Sequence, residues 1–222
     1  MGYAVLYSGG KDSNLAMWYG EKAGIDIKVI LTVSPRSEDS YMFHKPNLGL
    51  VPQLTESMGL EQITVETCGE KEVELEELEK TLEQLEIEGV ISGAVASTYQ
   101  RDRIDNICGE HGWDHYAPLW GMEQREILDT LIEEGFECVI VGVAAMGLDS
   151  SWLGRTIDDK LIKELEELED RYKINIAGEG GEYESLVLGG PNFRWGFEIV
   201  SAVKHWDGHR GTLEVKELKR RA

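Results

Sequence analysis

The stretch Ser8-Gly9-Gly10-Lys11-Asp12-Ser13 constrains the fold more than any other part of this chain. An apolar run, Tyr3-Ala4-Val5-Leu6-Tyr7, precedes it, and a run of helical character beginning Asn14-Leu15-Ala16-Met17-Trp18 follows. A strand that ends in two glycines and opens directly into a helix is a cradle for phosphate. Glycine reaches backbone conformations that other residues avoid and puts no side chain in a ligand's path. The N–H groups of the first helical turn converge on one spot, where the helix dipole also favours an anion. Lys11 adds a mobile cation, and Ser8 and Ser13 add hydroxyl donors. The spacing departs from the G-x-x-x-x-G-K-[ST] loop of the common NTPases. A turn that only caps a helix would need neither the Lys-Asp pair nor the second glycine.

Strand and helix patterns alternate through the first half. Ile27–Val33 and Gln62–Thr67 read as strands. Lys71–Glu88 reads as an amphipathic helix with Leu75, Leu78, Leu82 and Leu85 on one face. Gly89–Ser92 reads as a fourth strand, Arg101–His111 as a helix and His115–Ala117 as a fifth strand. This order predicts an α/β fold, a doubly wound parallel sheet of roughly five strands with right-handed crossovers. Ligands in such sheets bind beyond the carboxyl ends of the strands, where the glycine loop falls. Beyond a soft boundary at Trp120-Gly121 the pattern changes. Helices at Glu123–Gly135 and Asp158–Tyr172, a strand at Glu137–Val143 and candidate strands at Ser185–Leu188, Phe197–Ala202 and Thr212–Leu218 predict a smaller α+β domain. The expected division is 1–120 for nucleotide binding and 121–222 for substrate.

Bulk properties remove several classes. The chain has 42 Asp and Glu against 22 Lys and Arg, a net charge of −20, which repels nucleic acid phosphates and disfavours nucleic acid as a partner. No apolar run approaches the roughly 20 residues that span a bilayer. The N-terminus enters a strand with no leader-like segment, and the cysteines, Cys68, Cys108 and Cys138, form no C-x-x-C pair. These features predict a cytoplasmic protein without a disulfide framework or membrane partner. The five histidines show no zinc spacing, and no Ser-His-Asp set can be assembled from the sequence.

Three further clusters carry chemistry. Ser97-Thr98-Tyr99-Gln100-Arg101-Asp102-Arg103 opens a helix with two arginines suited to phosphate or carboxylate, or to surface pairing with acids. Gly147-Leu148-Asp149-Ser150-Ser151-Trp152-Leu153-Gly154-Arg155 reads as a binding loop, or as a structural turn with Trp152 as a core plug. Gly178-Glu179-Gly180-Gly181-Glu182-Tyr183-Glu184-Ser185 crowds three carboxylates and a phenol onto a glycine turn. Such crowding calls for a cation, raised pKa values or full solvation. The segment Val33–Lys45 offers adenine contacts or a lid.

The first loop resembles the S-G-G-x-D-S loop of the PP-loop (HUP-type) ATP pyrophosphatases. With S-x-Y-Q-R-x-R, G-L-D-x-x-W-L-G-R and G-E-G-G-E-Y-E-S, the chain from Ser8 to about Pro191 resembles the diphthine–ammonia ligases. That resemblance implies ATP-dependent amidation of a carboxylate on a modified histidine of translation elongation factor 2. An acyl-adenylate forms, AMP and pyrophosphate leave, and ammonia is the nitrogen donor. It implies that Ser8, Gly9, Gly10, Lys11 and Ser13 hold the pyrophosphate, that Asp12 binds Mg²⁺, and that Arg101 or Arg103 neutralises the α-phosphate or the substrate carboxylate. Lys11, Asp12, Arg101 and Glu182 are the catalytic candidates. Tyr99, Gln100, Arg103, Asp149, Trp152, Arg155, Glu179, Gly180, Gly181, Glu182 and Tyr183 are the substrate-binding candidates. Glu179, Glu182, Tyr183 and Trp152 suit a trimethylammonium group. The same carboxylates suit ammonium. The absence of the extra C-terminal domains of eukaryotic members implies an archaeal form. The oligomeric state, a homodimer included, stays open. The alternatives are another PP-loop adenylating enzyme, acting on RNA or forming a small-molecule amide, and a nucleotide-binding sensor without chemistry.

Overall fold

The computed structural model describes residues 2–35, 47–67 and 71–221. The chain divides into two compact units, Met1–Ser8 with Asp12–Trp120, and Gly9–Lys11 with Gly121–Ala222.

The first unit carries a five-stranded sheet in the order β3-β2-β1-β4-β5. Its strands are β1 (Gly2–Leu6), β2 (Ile27–Pro35), β3 (Glu61–Thr67), β4 (Ile87–Ile91) and β5 (Asp114–Tyr116), and every pair is parallel. The helices are α1 (Lys11–Lys22), α2 (Val51–Met58), α3 (Lys71–Leu82) and α4 (Thr98–His111). The expected doubly wound sheet is therefore present. The strand order reverses between β1 and β4, so the ligand crevice of such a sheet opens beyond the ends of these two strands. Ala4 and Val5 of β1, Leu31 of β2 and Val90 of β4 are fully buried. Leu78 and Leu82 bring α3 onto this core, each contributing about 1.5–3 kcal/mol by burial.

Two elements differ from expectation. The helix at Lys71 stops at Leu82 rather than continuing to Glu88, and Ile87 already pairs with Gly2. Leu85 continues the apolar spacing and packs on the core from a turn, so the periodicity outran the helix. Gly89 is a glycine because the Tyr3 ring covers it: a Cβ there would lie 2.2 Å from that ring. The short helix α2 was missed. Its eight residues carry too few apolar positions for a periodic signal, although Val51, Leu54 and Met58 are buried.

The second unit holds an antiparallel sheet in the order β7-β6-β9-β8. Its strands are β6 (Glu137–Val143), β7 (Tyr183–Gly189), β8 (Phe197–Trp206) and β9 (Gly211–Arg220). Helix α5 (Gln124–Glu133) buries Ile127, Leu128 and Leu131, and α6 (Asp159–Tyr172) buries Leu161, Ile162 and Leu165. Asp158 caps α6 by accepting from the Leu161 N–H at 2.8 Å. Strands β8 and β9 run four and three residues beyond their expected ends and form a long hairpin with Val200, Val203 and Trp206 exposed. Hairpin pairing, invisible to a burial pattern, carries the strands past their apolar residues.

Candidate active site

The glycine loop forms as the pattern requires. β1 ends at Leu6 and α1 starts at Lys11, which leaves four residues for the turn. Gly9 has φ 79°, a conformation that a side chain would strain. In the first unit, Ser13 Oγ accepts from the Ser8 N–H at 3.3 Å and lies 3.4 Å from Ser8 Oγ. These contacts close the turn around the first residues of α1. Tyr7 donates its hydroxyl to Asn14 Oδ1 at 2.9 Å, a buried bond that ties strand end to helix. Asp12 is partly buried on the first turn of α1. Gly93, two residues beyond β4, lies against that turn: a Cβ on it would sit 2.8 Å from the Asp12 carbonyl carbon and 2.9 Å from the Ser13 nitrogen. Backbone thus approaches backbone at the sheet's reversal point.

In the second unit, Gly9–Lys11 cluster with β7 and the acidic turn before it. The Val187 N–H donates to the Gly9 carbonyl at 2.9 Å, and the Lys11 N–H donates to Ser185 Oγ at 3.1 Å. The Lys11 side chain is 4% exposed, with Nζ 3.5 Å from Glu179 Oε1 and 5.9 Å from the centre of the Tyr183 ring. A buried ammonium requires an anion, and Glu179 supplies one.

The acidic turn is not a cluster of free carboxylates. Glu182 Oε1 accepts from the Asn175 N–H at 2.9 Å, and Oε2 accepts from the Gly180 N–H at 2.8 Å. Asn175 Oδ1 accepts from the Ala177 and Glu179 N–H groups. Tyr183 is buried and donates to the Ile176 carbonyl at 2.8 Å. Glu182 and Tyr183, expected to face a substrate, therefore hold the turn that presents Glu179. Gly180 and Gly181 are exposed at its tip.

Trp152 is 7% exposed, with the Arg155 guanidinium 4.5 Å over its ring. Arg155 is held by both oxygens of Glu164, at 2.7 and 2.8 Å, which keeps that carboxylate below the usual range and raises the arginine. Asp149 accepts from the Ser151 hydroxyl and N–H, and these bonds lower its pKa. The turn is thus held by its own ion pair and hydrogen bonds, with Trp152 buried beneath Arg155 and Asp149 exposed.

Ser97 caps α4 by accepting from the Gln100 N–H at 3.3 Å. Arg101 lies 4.4 Å over the Trp120 ring and 3.3 Å from Asp105, whereas Arg103 lies 3.5 Å over the Tyr99 ring. The two arginines are thus directed to separate aromatic partners, and the Gln100 side chain is exposed.

The sequence missed one constellation. His115 of β5 lies between Ser92 and Asp105: Nε2 is 2.7 Å from Ser92 Oγ, and Nδ1 is 2.6 Å from Asp105 Oδ1. A Ser-His-Asp chain exists after all. The signal was Ile91-Ser92-Gly93, which repeats the strand-Ser-Gly pattern of the first loop. Among the described residues no group of three His, Cys, Asp or Glu could hold a metal ion, and no helix is long and apolar enough to cross a membrane. Cys108 and Cys138 are buried, and burial pushes the Cys108 thiol up to about 12. Cys68, and all but Val33–Pro35 of the Val33–Lys45 segment, lie outside the described residues.

Residues 1–115 match the family described as Diphthamide synthase N-terminal domain, and residues 123–220 match the Diphthamide synthase C-terminal domain. The human protein named Diphthine--ammonia ligase is 33% identical over 217 residues, 87% of this chain and 81% of the human one. The rat protein of that name is 35% identical with the same coverage. The fission yeast protein of that name is 28% identical over 95% of this chain, which spans 38% of that protein. Compact length therefore does not mark an archaeal form, since vertebrate relatives are comparably short. A solved structure described as a predicted subunit of tRNA methyltransferase from Methanocaldococcus jannaschii has a TM-score of 0.47 at 16% identity, covering 86% of this chain and 98% of that one. That likeness is too slight to bear on function. Two adjacent family matches spanning most of the chain, with relatives above 30% identity, place it among the diphthine–ammonia ligases, enzymes that form a carbon–nitrogen bond.

Proposed function

We propose that this protein amidates the diphthine carboxylate of translation elongation factor 2 in the cytoplasm, using ATP and ammonia. The carrying observation is the loop in which Gly9 at φ 79° turns the chain into α1 and Lys11 is buried at its start. A carboxylate is a poor electrophile. Transfer of AMP to its oxygen creates a good leaving group, and the pyrophosphate expelled in that step is what the loop is shaped to hold. Ser8, Ser13 and the N–H groups that follow Lys11 in α1 would donate to it, and the Lys11 side chain would meet the charge as it develops. Ammonia then attacks the acyl carbon, the C–N bond forms and the C–O bond to AMP breaks.

Mg²⁺ fits this site as an ion carried by the nucleotide, since Mg²⁺ binds through one or two carboxylates plus phosphates rather than a protein cage. We assign Asp12, on the first turn of α1, as the carboxylate that would take it, and the ion would neutralise phosphate charge. We assign the cationic end of the acceptor to the acidic turn Gly178–Glu184 by charge.

RNA thiolation is the weaker reading, because the net charge of −20 opposes RNA. The test incubates the protein with ATP, Mg²⁺, ammonium and elongation factor carrying diphthine. AMP and pyrophosphate that appear only with this acceptor, together with its amide, are expected. ADP, or no turnover with any acceptor, rejects the proposal.

A further inference from the structure

Amidation presents a proton problem that the phosphate loop does not solve. Ammonium is the abundant form at neutral pH and has no lone pair. For each amide made from it, two protons leave: one to expose the nitrogen lone pair, one as the C–N bond completes and the C–O bond to AMP breaks. A group beside the reacting nitrogen must take the first before attack; the second is lost to water from the cationic nitrogen of the adduct, which is acidic enough to need no base.

We propose that Ser92, His115 and Asp105 form the proton relay for ammonium, an inference that rests on the function proposed above. Three observations converge on it. The first is the hydrogen-bonded chain itself. Asp105 accepts from Nδ1–H, which fixes the tautomer and leaves Nε2 as the acceptor for the Ser92 hydroxyl. The second is the gradient of exposure. Ser92 is 6% exposed and the His115 side chain 5%, whereas the Asp105 side chain is 42% exposed. The chain runs from a dry end to a wet one. The third is position. Ser92 directly follows β4 and precedes Gly93, whose backbone abuts Asp12 and Ser13 at the first turn of α1. The dry end is therefore at the crevice where the strand order reverses.

In this first transfer Ser92 Oγ accepts a proton from ammonium while its own proton passes to His115 Nε2. The imidazolium then releases its Nδ1 proton through the Asp105 edge to water, and proton exchange with water restores the Nδ1–H tautomer before the next turnover. Charged groups stand near His115 on its neighbouring elements. From α4, Asp105 faces Nδ1 and is itself paired with Arg101 at 3.3 Å. On β5, the adjacent Asp114 accepts the Tyr3 hydroxyl at 3.0 Å. Just after β4, the Ser92 hydroxyl meets the ring. Ser92 is the group that would touch ammonia, and His115 and Asp105 act through it.

The test compares ammonium with hydroxylamine, which is uncharged at neutral pH and needs no base to expose its lone pair. The full-length protein carries Ser92→Ala, His115→Gln or Asp105→Asn. Asp105 is half-exposed, so its variant keeps the core intact should His115→Gln fail to fold. At pH 7, amide formation from ammonium is expected to fall by roughly 10²-fold. Hydroxamate formation and ATP–pyrophosphate exchange are expected to stay at wild-type levels. The variant's amidation rate should climb with pH as free ammonia rises, more steeply than that of wild type. Parallel loss of amide and hydroxamate, or retention of both, overturns the relay. A wild-type protein that forms neither product overturns the proposed amidation instead.

Discussion

Lys11 shows what a single residue contributes to this loop. It is a buried cation whose anion, Glu179, lies 168 positions away and 3.5 Å distant. Replacing it with Ala removes two things at once, the cation for the departing pyrophosphate and the counter-charge of Glu179. We expect Lys11→Ala to lower AMP formation by about 10²-fold or more, the scale for losing one preorganised stabilising group. It should also lower the melting temperature, because truncating one partner leaves a partly buried charge. The double variant Lys11→Ala with Glu179→Gln separates the effects: its melting temperature should recover while AMP formation stays lost. Recovery of turnover in the double variant would show that Lys11 serves only to neutralise Glu179. The loop was legible because its residues are contiguous, and a strand, two glycines and a helix start leave little freedom. Glu179 and Ser185 as partners of Lys11 were not, since sheet pairing alone sets which distant turn comes near. Ser92, His115 and Asp105 were hidden for the same reason. They are 23 and 10 positions apart, and no helical or strand period links them.

Elements, rather than isolated side chains, decide what the acidic turn does. Charge counting along Gly178–Ser185 pointed to carboxylates competing for a cation. The folded turn spends both Glu182 oxygens on backbone N–H groups, and a residue's charge says nothing of which donors its backbone will offer. Glu182→Gln replaces one acceptor with an NH₂ that faces an N–H, at about 1–3 kcal/mol of local stability. Hydrogen exchange at Asn175 and Gly180 should quicken. Because this turn presents Glu179 to Lys11, AMP formation and amidation should decline in parallel. Loss of amidation alone would return Glu182 to the ammonium. The other turn follows similar logic through Arg155 and Glu164. Bonding to Arg155 holds the Glu164 pKa below its ordinary 4.5 in the folded chain. Its contribution to stability is therefore present above 4.5 and is lost as pH falls through the lower folded value. Glu164→Gln should melt below wild type at neutral pH, with the gap closing under acid. A gap that holds constant at low pH would mean that packing, not charge, accounts for the difference. The regular elements were read well where long apolar stripes exist, as in α6, and poorly where pairing or a turn overrides the stripe. Leu85 kept the period of α3 after the helix had ended.

At the scale of the whole molecule, charge is the property that no local contact explains. If every one of the 22 Lys and Arg were matched with one acid, 42 − 22 = 20 carboxylates would still lack a basic partner. Glu76 of α3 and Glu167 of α6 are exposed and Glu77, Glu79, Glu166 and Glu169 half-buried, so like charges repel along both helices. At about 0.01 M salt the screening length is roughly 30 Å, longer than a small unit is wide, so these charges all act together. At about 0.15 M it contracts to roughly 8 Å, and repulsion survives only between near neighbours. Melting temperature should therefore rise across this range, in contrast to a protein held together by surface ion pairs, which salt weakens. An exposed ion pair contributes only about 0–1 kcal/mol. The same field sets the partner class. An RNA-binding relative would lose affinity with rising salt, because binding releases counterions from the phosphates. For this chain, retention on an immobilised tRNA column should be absent at low salt, where such attraction is greatest. Retention that disappears with added salt would locate a basic surface strong enough to overcome −20, and with it an RNA substrate in place of the protein acceptor.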